Sequence, residues 1–174
     1  MRADATARRI RALLDALGRQ ASPGARAFLA GGATAVMCGW RDSTRDVDLT
    51  LDGDVESVLR ELARIKDELD INVELAGPQD FLPAPSDWRE RGSSVGVFGA
   101  LAVYHTDFTL QALAKLQRGF DQDLEDVAQM TARGLTSGDR LRALLDEIEP
   151  ELYRTPAVDG TRLRAAVEAI TAST

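Results

Sequence analysis

Two short stretches of the chain hold residue types that do chemistry together: Gly31-Gly32-Ala33-Thr34 and Asp46-Val47-Asp48-Leu49, with 13 residues (Ala33 to Arg45) between Gly32 and Asp46. Carboxylates alternating with apolar residues predict a strand over Asp46 to Leu51. There Asp46 and Asp48 share one face, and Val47 and Leu49 point into a core. Like charges so close repel unless a cation sits between them or water screens both. An acidic, all-oxygen site suits Mg²⁺ or Mn²⁺, ions that keep some waters and bind substrate phosphates as well. Glycines where a strand enters a helix let a phosphate approach the backbone, and a helix N-terminus favours negative charge. Alone, each feature has an ordinary explanation, a tight turn or a solvent-facing strand edge. Together they point to a metal and phosphate site.

Other residues are read against that pair. Glu74 and Asn72 alternate out of phase with Ile71, Val73 and Leu75, so they share the polar face of the next predicted strand, where Glu74 either joins the site or faces solvent. Arg41 and Arg45 flank the acidic strand and suit either phosphate or a carboxylate such as Asp42. Lys115 and Arg118 stand at i and i+3, away from Leu110, Leu113 and Leu116. Asp121, Asp123 and Asp126 are their alternative partners. His105 is the sole histidine and Cys38 the sole cysteine. That leaves no basis for a Ser-His-Asp triad, a cysteine zinc site or an internal disulfide. Trp40, Phe81 and Trp88 suit packing better than base stacking.

The elements that must position these residues follow from periodicity. Ile10, Leu13, Leu14 and Leu17 mark a first helix. Ala27 to Ala30 reads as a buried strand feeding the glycines, and Ala33 to Cys38 as a small-residue helix. A helix over Val55 to Leu69 takes Asp54 as its expected N-cap. Ile71 to Leu75, Ser94 to Phe98 and Leu101 to His105 read as strands. Phe108 to Gln117, Asp123 to Ala132, Asp139 to Ile148 and Thr161 to Ile170 read as helices, punctuated by Gly119, Gly134, Gly138 and Gly160. The expectation is an α/β core over residues 1–107, a mixed sheet flanked by helices, and a C-terminal helical subdomain over 108–174 packed on it.

Bulk properties narrow the class. With 174 residues, 44% hydrophobic and 28% charged, the chain suits a globular fold. No apolar run approaches a membrane span and no apolar leader opens the chain, so the expectation is a cytoplasmic protein with no membrane partner. A net charge of −7 argues against a broad nucleic-acid surface.

The Gly-Gly turn followed by an Asp-x-Asp strand resembles the nucleotidyltransferase superfamily, over about residues 27 to 130. The nearer likeness is to small bacterial nucleotidyltransferase-like proteins related to type IV toxin–antitoxin and abortive-infection nucleotidyltransferases. It rests on Arg41 to Leu49, on Lys115-Leu116-Gln117-Arg118 and on Gln122-Asp123-Leu124-Glu125-Asp126-Val127. The chain departs from the pattern at Ala33, where serine is frequent, and at Gln122, where arginine is frequent. The resemblance implies a minimal nucleotidyltransferase fold. It implies Asp46, Asp48 and Glu74 as catalytic and metal-binding carboxylates for Mg²⁺ or Mn²⁺. It implies that Gly31, Gly32, Thr34, Arg45, Lys115 and Arg118 bind the nucleotide. The activity implied is transfer of a nucleoside monophosphate from an NTP to a hydroxyl of an RNA end, a protein or a small molecule. A toxin-like role with an antitoxin partner is part of the same implication. The alternative is an inactive protein of that fold that binds a nucleotide or another protein.

Overall fold

The computed structural model describes residues 2–172, which group into two compact units. One is Met1–Gly77 with Gly92–His105, and the other is Pro78–Arg91 with Thr106–Thr174. The division is therefore discontinuous in sequence, whereas the expectation placed a single boundary after residue 107.

The first unit is built on a five-stranded mixed sheet. Its elements are β1 (Ala5–Thr6), α1 (Ala7–Gln20), β2 (Arg26–Ala30), α2 (Gly31–Met37), β3 (Ser43–Thr44), β4 (Asp46–Asp52), α3 (Glu56–Glu68), β5 (Asn72–Glu74), β6 (Ser93–Phe98) and β7 (Leu101–His105). The strand order is β5-β4-β2-β7-β6, while β1 and β3 form a separate two-stranded ribbon. β4 runs antiparallel to β2, β5 parallel to β4, β7 parallel to β2, and β6 antiparallel to β7.

Alternation along these strands sorts the side chains. Leu29, Val47, Leu49, Val73, Leu101 and Val103 join the core cluster together with Ile10, Leu13, Leu14 and Leu17 of α1 and Val58 and Ile65 of α3. The out-of-phase residues Phe28, Asp46, Asp48, Asn72, Glu74 and Tyr104 occupy the opposite sheet face. Neighbours across β2 and β7, Phe28 and Tyr104 stack there with ring centroids 5.4 Å apart. The residue capping α3 is Val55 rather than the expected Asp54, and no side chain makes the cap bond.

The second unit is helical: α4 (Phe108–Arg118), α5 (Asp121–Ala132), α6 (Gly138–Ile148) and α7 (Gly160–Ala172). Asp107 caps α4 by accepting from the Thr109 amide at 3.0 Å, and Ser137 caps α6. Leu110, Leu113, Leu116, Val127, Met130, Leu141, Leu145 and Val167 are buried among these helices. The proline-rich connection over residues 78–91 belongs here because Leu82 and Trp88 are buried and Arg91 makes two bonds to Glu147, at 2.9 and 3.1 Å. Among the described residues no helix is long and apolar enough to cross a membrane.

Candidate functional site

The two candidate motifs meet in the first unit. β2 delivers the chain to the glycines, and its antiparallel pairing with β4 sets Ala30 opposite Asp48. Gly31 has φ +57, a backbone conformation that favours glycine, and a Cβ built on it would collide with the Asp48 carboxylate. A Cβ on Gly32 would strike the Thr44 hydroxyl. Thr44 in turn donates to the Asp46 carbonyl at 3.1 Å. The glycines are thus required first by the site's own side chains, which press against the turn, and they lie inside the first turn of α2 instead of preceding the helix.

Asp46 and Asp48 are half-buried on one face of β4. The parallel β4–β5 register places Asn72 beside Asp46 and Glu74 beside Asp48. Asn72 Nδ2 donates to Asp46 Oδ1 at 2.5 Å, fixing one carboxylate oxygen through a neutral amide and leaving the charge in place. Glu74 is exposed. Among the described residues no three His, Cys, Asp or Glu side chains are disposed to hold one ion, so Glu74 shares the strand face without completing a three-carboxylate cluster. Arg45, exposed in the step between β3 and β4, makes no hydrogen bond or ion pair with the described residues.

Three of the expected nucleotide contacts are engaged in bonds within the chain. Thr34 is fully buried, and its hydroxyl faces inward. It donates to the Leu29 carbonyl at 3.2 Å, which leaves its lone pair to accept from His105 Nδ1 at 3.1 Å. With Nδ1 as the donor, Nε2 is the acceptor facing the Cys38 thiol at 3.5 Å. Burial pushes the His105 pKa down to about 4, which keeps the imidazole neutral at pH 7. This trio holds the ends of β2 and β7 and the helix α2 together, and α2 carries the glycines. No sequence signal showed it, since His105 and Thr34 are 71 residues apart.

Lys115 is the second. It is 5% exposed and lies 2.6 Å from Asp126 Oδ2 and 3.4 Å from Asp123 Oδ1, inside the helical unit. Arg118, the third, holds the same Asp123 through two guanidinium nitrogens at 2.5 and 3.1 Å. Both cations are committed to carboxylates of α5, one turn of chain away, which is the alternative pairing that the sequence left open.

Residues 8–167 match the model of a family described as Nucleotidyltransferase of unknown function (DUF6036). The chain belongs to this family. The fold agrees with that membership. A crystal structure of an antigenic nucleotidyltransferase-like protein from Paracoccidioides brasiliensis is similar to the chain with a TM-score of 0.51 and 14% identity, over 96% of this chain and 95% of that one. No match was found among the curated proteins. In this nucleotidyltransferase-family chain the α/β core and its flanking helices therefore form a nucleotidyltransferase-like fold.

Proposed function

We propose that the chain is a metal-dependent nucleotidyltransferase that moves a nucleoside monophosphate from an NTP to a hydroxyl acceptor. The observation that supports this reading is the juxtaposition of Asp46 and Asp48, half-buried on one strand face, with the Gly31-Gly32 turn against which the Asp48 carboxylate rests. An all-oxygen pair of this kind fits Mg²⁺ or Mn²⁺, since such ions are commonly held by one or two carboxylates and completed by phosphates and water. Bound by Asp46 and Asp48, the ion would supply positive charge to the triphosphate oxygens and to the attacking hydroxyl.

The chain's own residues account for the rest. Asn72 orients Asp46 by occupying Oδ1, so the carboxylate presents its other oxygen. Arg45 is the cation available for phosphate charge. Glu74, beside Asp48 in the register, is the base for the acceptor hydroxyl. The hydroxyl oxygen attacks the α-phosphorus, the bond to the bridging oxygen breaks, and pyrophosphate leaves with its electrons. Catalysis of this kind is mainly positioning and charge stabilisation. The acidic chain, at −7, favours a protein or small-molecule acceptor over a nucleic acid.

One observation favours a second reading, a nucleotide- or protein-binding module of the same fold. Thr34, Lys115 and Arg118 are all occupied by bonds inside their own units. The deciding experiment incubates the protein with each α-labelled NTP, Mg²⁺ or Mn²⁺, and total bacterial RNA and protein, beside an Asp46→Ala/Asp48→Ala variant. Label on an acceptor, absent with the variant, is the expected outcome and identifies the acceptor class. Saturable nucleotide binding without pyrophosphate release would favour the binding module instead.

A further inference from the structure

The two edges of the five-stranded sheet are treated differently. At the β5 edge, cationic side chains take the carbonyls that another strand would seek. Lys66 donates to Val73 O at 2.9 Å, Arg2 to Ile71 O at 2.8 Å, and Arg9 to the carbonyls of Leu69 and Asp70, both at 2.7 Å. Charged groups set along an edge in this way block strand addition.

At the β6 edge, among the described residues, no charged side chain takes a strand carbonyl, and the one irregularity lies between Ser94 and Gly96. Among the described residues β6 has no hydrogen-bond partner other than β7, so the N–H and C=O groups that alternate away from β7 are open. Ser93, Ser94 and Val97 are exposed, Val97 to 74%. The strand contains no Asp, Glu, Lys, Arg or Pro, and it lies in an uncharged run of 15 residues, Gly92 to Thr106, the longest in the sequence.

We propose that this edge is a homodimer interface, with β6 pairing antiparallel to β6 of a second copy so that the two five-stranded sheets become continuous. The charge pattern selects a second copy over a foreign strand. A two-fold axis sets each residue of β6 against the same strand, so any charge there would meet its like. β6 has none, although the chain as a whole carries −7. A foreign partner for so acidic a protein would bring cations, and β6 offers no carboxylate to receive them. Once two β6 edges have paired, only the guarded β5 edges remain, and they stop growth after two copies. Pairing along six residues alone makes a small interface, so the association is expected to be weak and reversible.

The test is sedimentation velocity of the full chain from about 2 to about 300 µM, a span suited to weak, reversible association. It is run beside Val97→Lys, which puts a charge on the exposed pairing strand of each copy. The expected result is a monomer–dimer equilibrium in the wild type, weakened at least tenfold by Val97→Lys, with an unchanged melting temperature because Val97 is exposed. Amide exchange of Val95 and Val97 in the wild type should also slow as concentration rises. A wild type that stays monomeric throughout would overturn the proposal. A dimer indifferent to Val97→Lys, with no added protection of β6, would overturn it as well by placing the contact on another surface. Either result is independent of whether the chain transfers nucleotides.

Discussion

Two pairs of aspartates in this molecule live under opposite rules. Asp123 and Asp126, three residues apart on α5, are 3% and 1% exposed and are met by Lys115 and Arg118. Asp46 and Asp48, two apart on β4, are half-buried, and the hydrogen bond that fixes Asp46 comes from the neutral amide of Asn72. A buried carboxylate must have its counter-charge built in, because no ion or water can be relied on to supply it. A half-exposed carboxylate keeps contact with water, so a neutral amide such as that of Asn72 is enough to fix Asp46. Under the proposed function, that difference is the one between charge that holds the fold and charge that holds an ion.

The comparison breaks most easily at Lys115. Lys115→Met keeps the length of the side chain and removes the ammonium, leaving Asp126 buried without it. Breaking a buried pair this way costs about 3–5 kcal/mol, read as a lowered midpoint in urea denaturation. Adding Asp126→Leu should recover most of the loss, because a hydrophobic pair of similar volume replaces the ions. Were Lys115→Met to leave stability intact while abolishing nucleotide binding, Lys115 would be a phosphate ligand and the comparison would fail.

His105 offers a contrast within the first unit, a buried polar group kept neutral instead of paired. Its pKa is about 4 in the folded chain against an ordinary 6.5. Between those values the unfolded chain binds the extra proton and the folded chain does not. Stability is therefore full above pH 6.5 and falls as pH drops toward 4, by up to about 3 kcal/mol. With a single histidine in the sequence, His105→Asn should remove that component, since the asparagine amide can still donate to Thr34 from the Nδ1 position. Unfolding free energies at pH 7 and 4.5 for the two proteins measure it. An equal acid loss in the variant would assign the effect to carboxylates alone.

The sequence revealed what is periodic and local. Alternation in β4 and β5 correctly gave the shared face of Asp46, Asp48 and Glu74, and the leucine spacing of α1, α3 and α4 gave the helices. Missed were features that depend on distant segments. The β1–β3 ribbon pairs residues 5–6 with 43–44, too short to show a period. Thr34 looked like a phosphate contact because it follows the glycines, but packing turned it toward His105. For Lys115 and Arg118 the sequence left phosphate and the α5 carboxylates both open, because spacing along α4 cannot tell whether α5 folds back on them. Residues 78–91 carry no period of their own, and the burial of Leu82 and Trp88 with the Arg91–Glu147 bonds ties them to the helical unit.

The smallest expected change in stability tests the other half of the comparison. Asp46→Asn preserves shape, and its amide oxygen can still accept from Asn72, so the bond that orients position 46 survives. What disappears is one of two like charges whose mutual repulsion the fold now tolerates. Stability should therefore change by less than about 1 kcal/mol, and the sign should favour the variant. Metal binding should move the other way. Titration of Mn²⁺ followed by electron paramagnetic resonance, with NTP present, should show affinity weakened at least tenfold. If Asp46→Asn instead destabilised the chain by several kcal/mol and left Mn²⁺ affinity unchanged, the carboxylates of β4 would belong with those of α5 as structural charge. The metal assignment would then go with them.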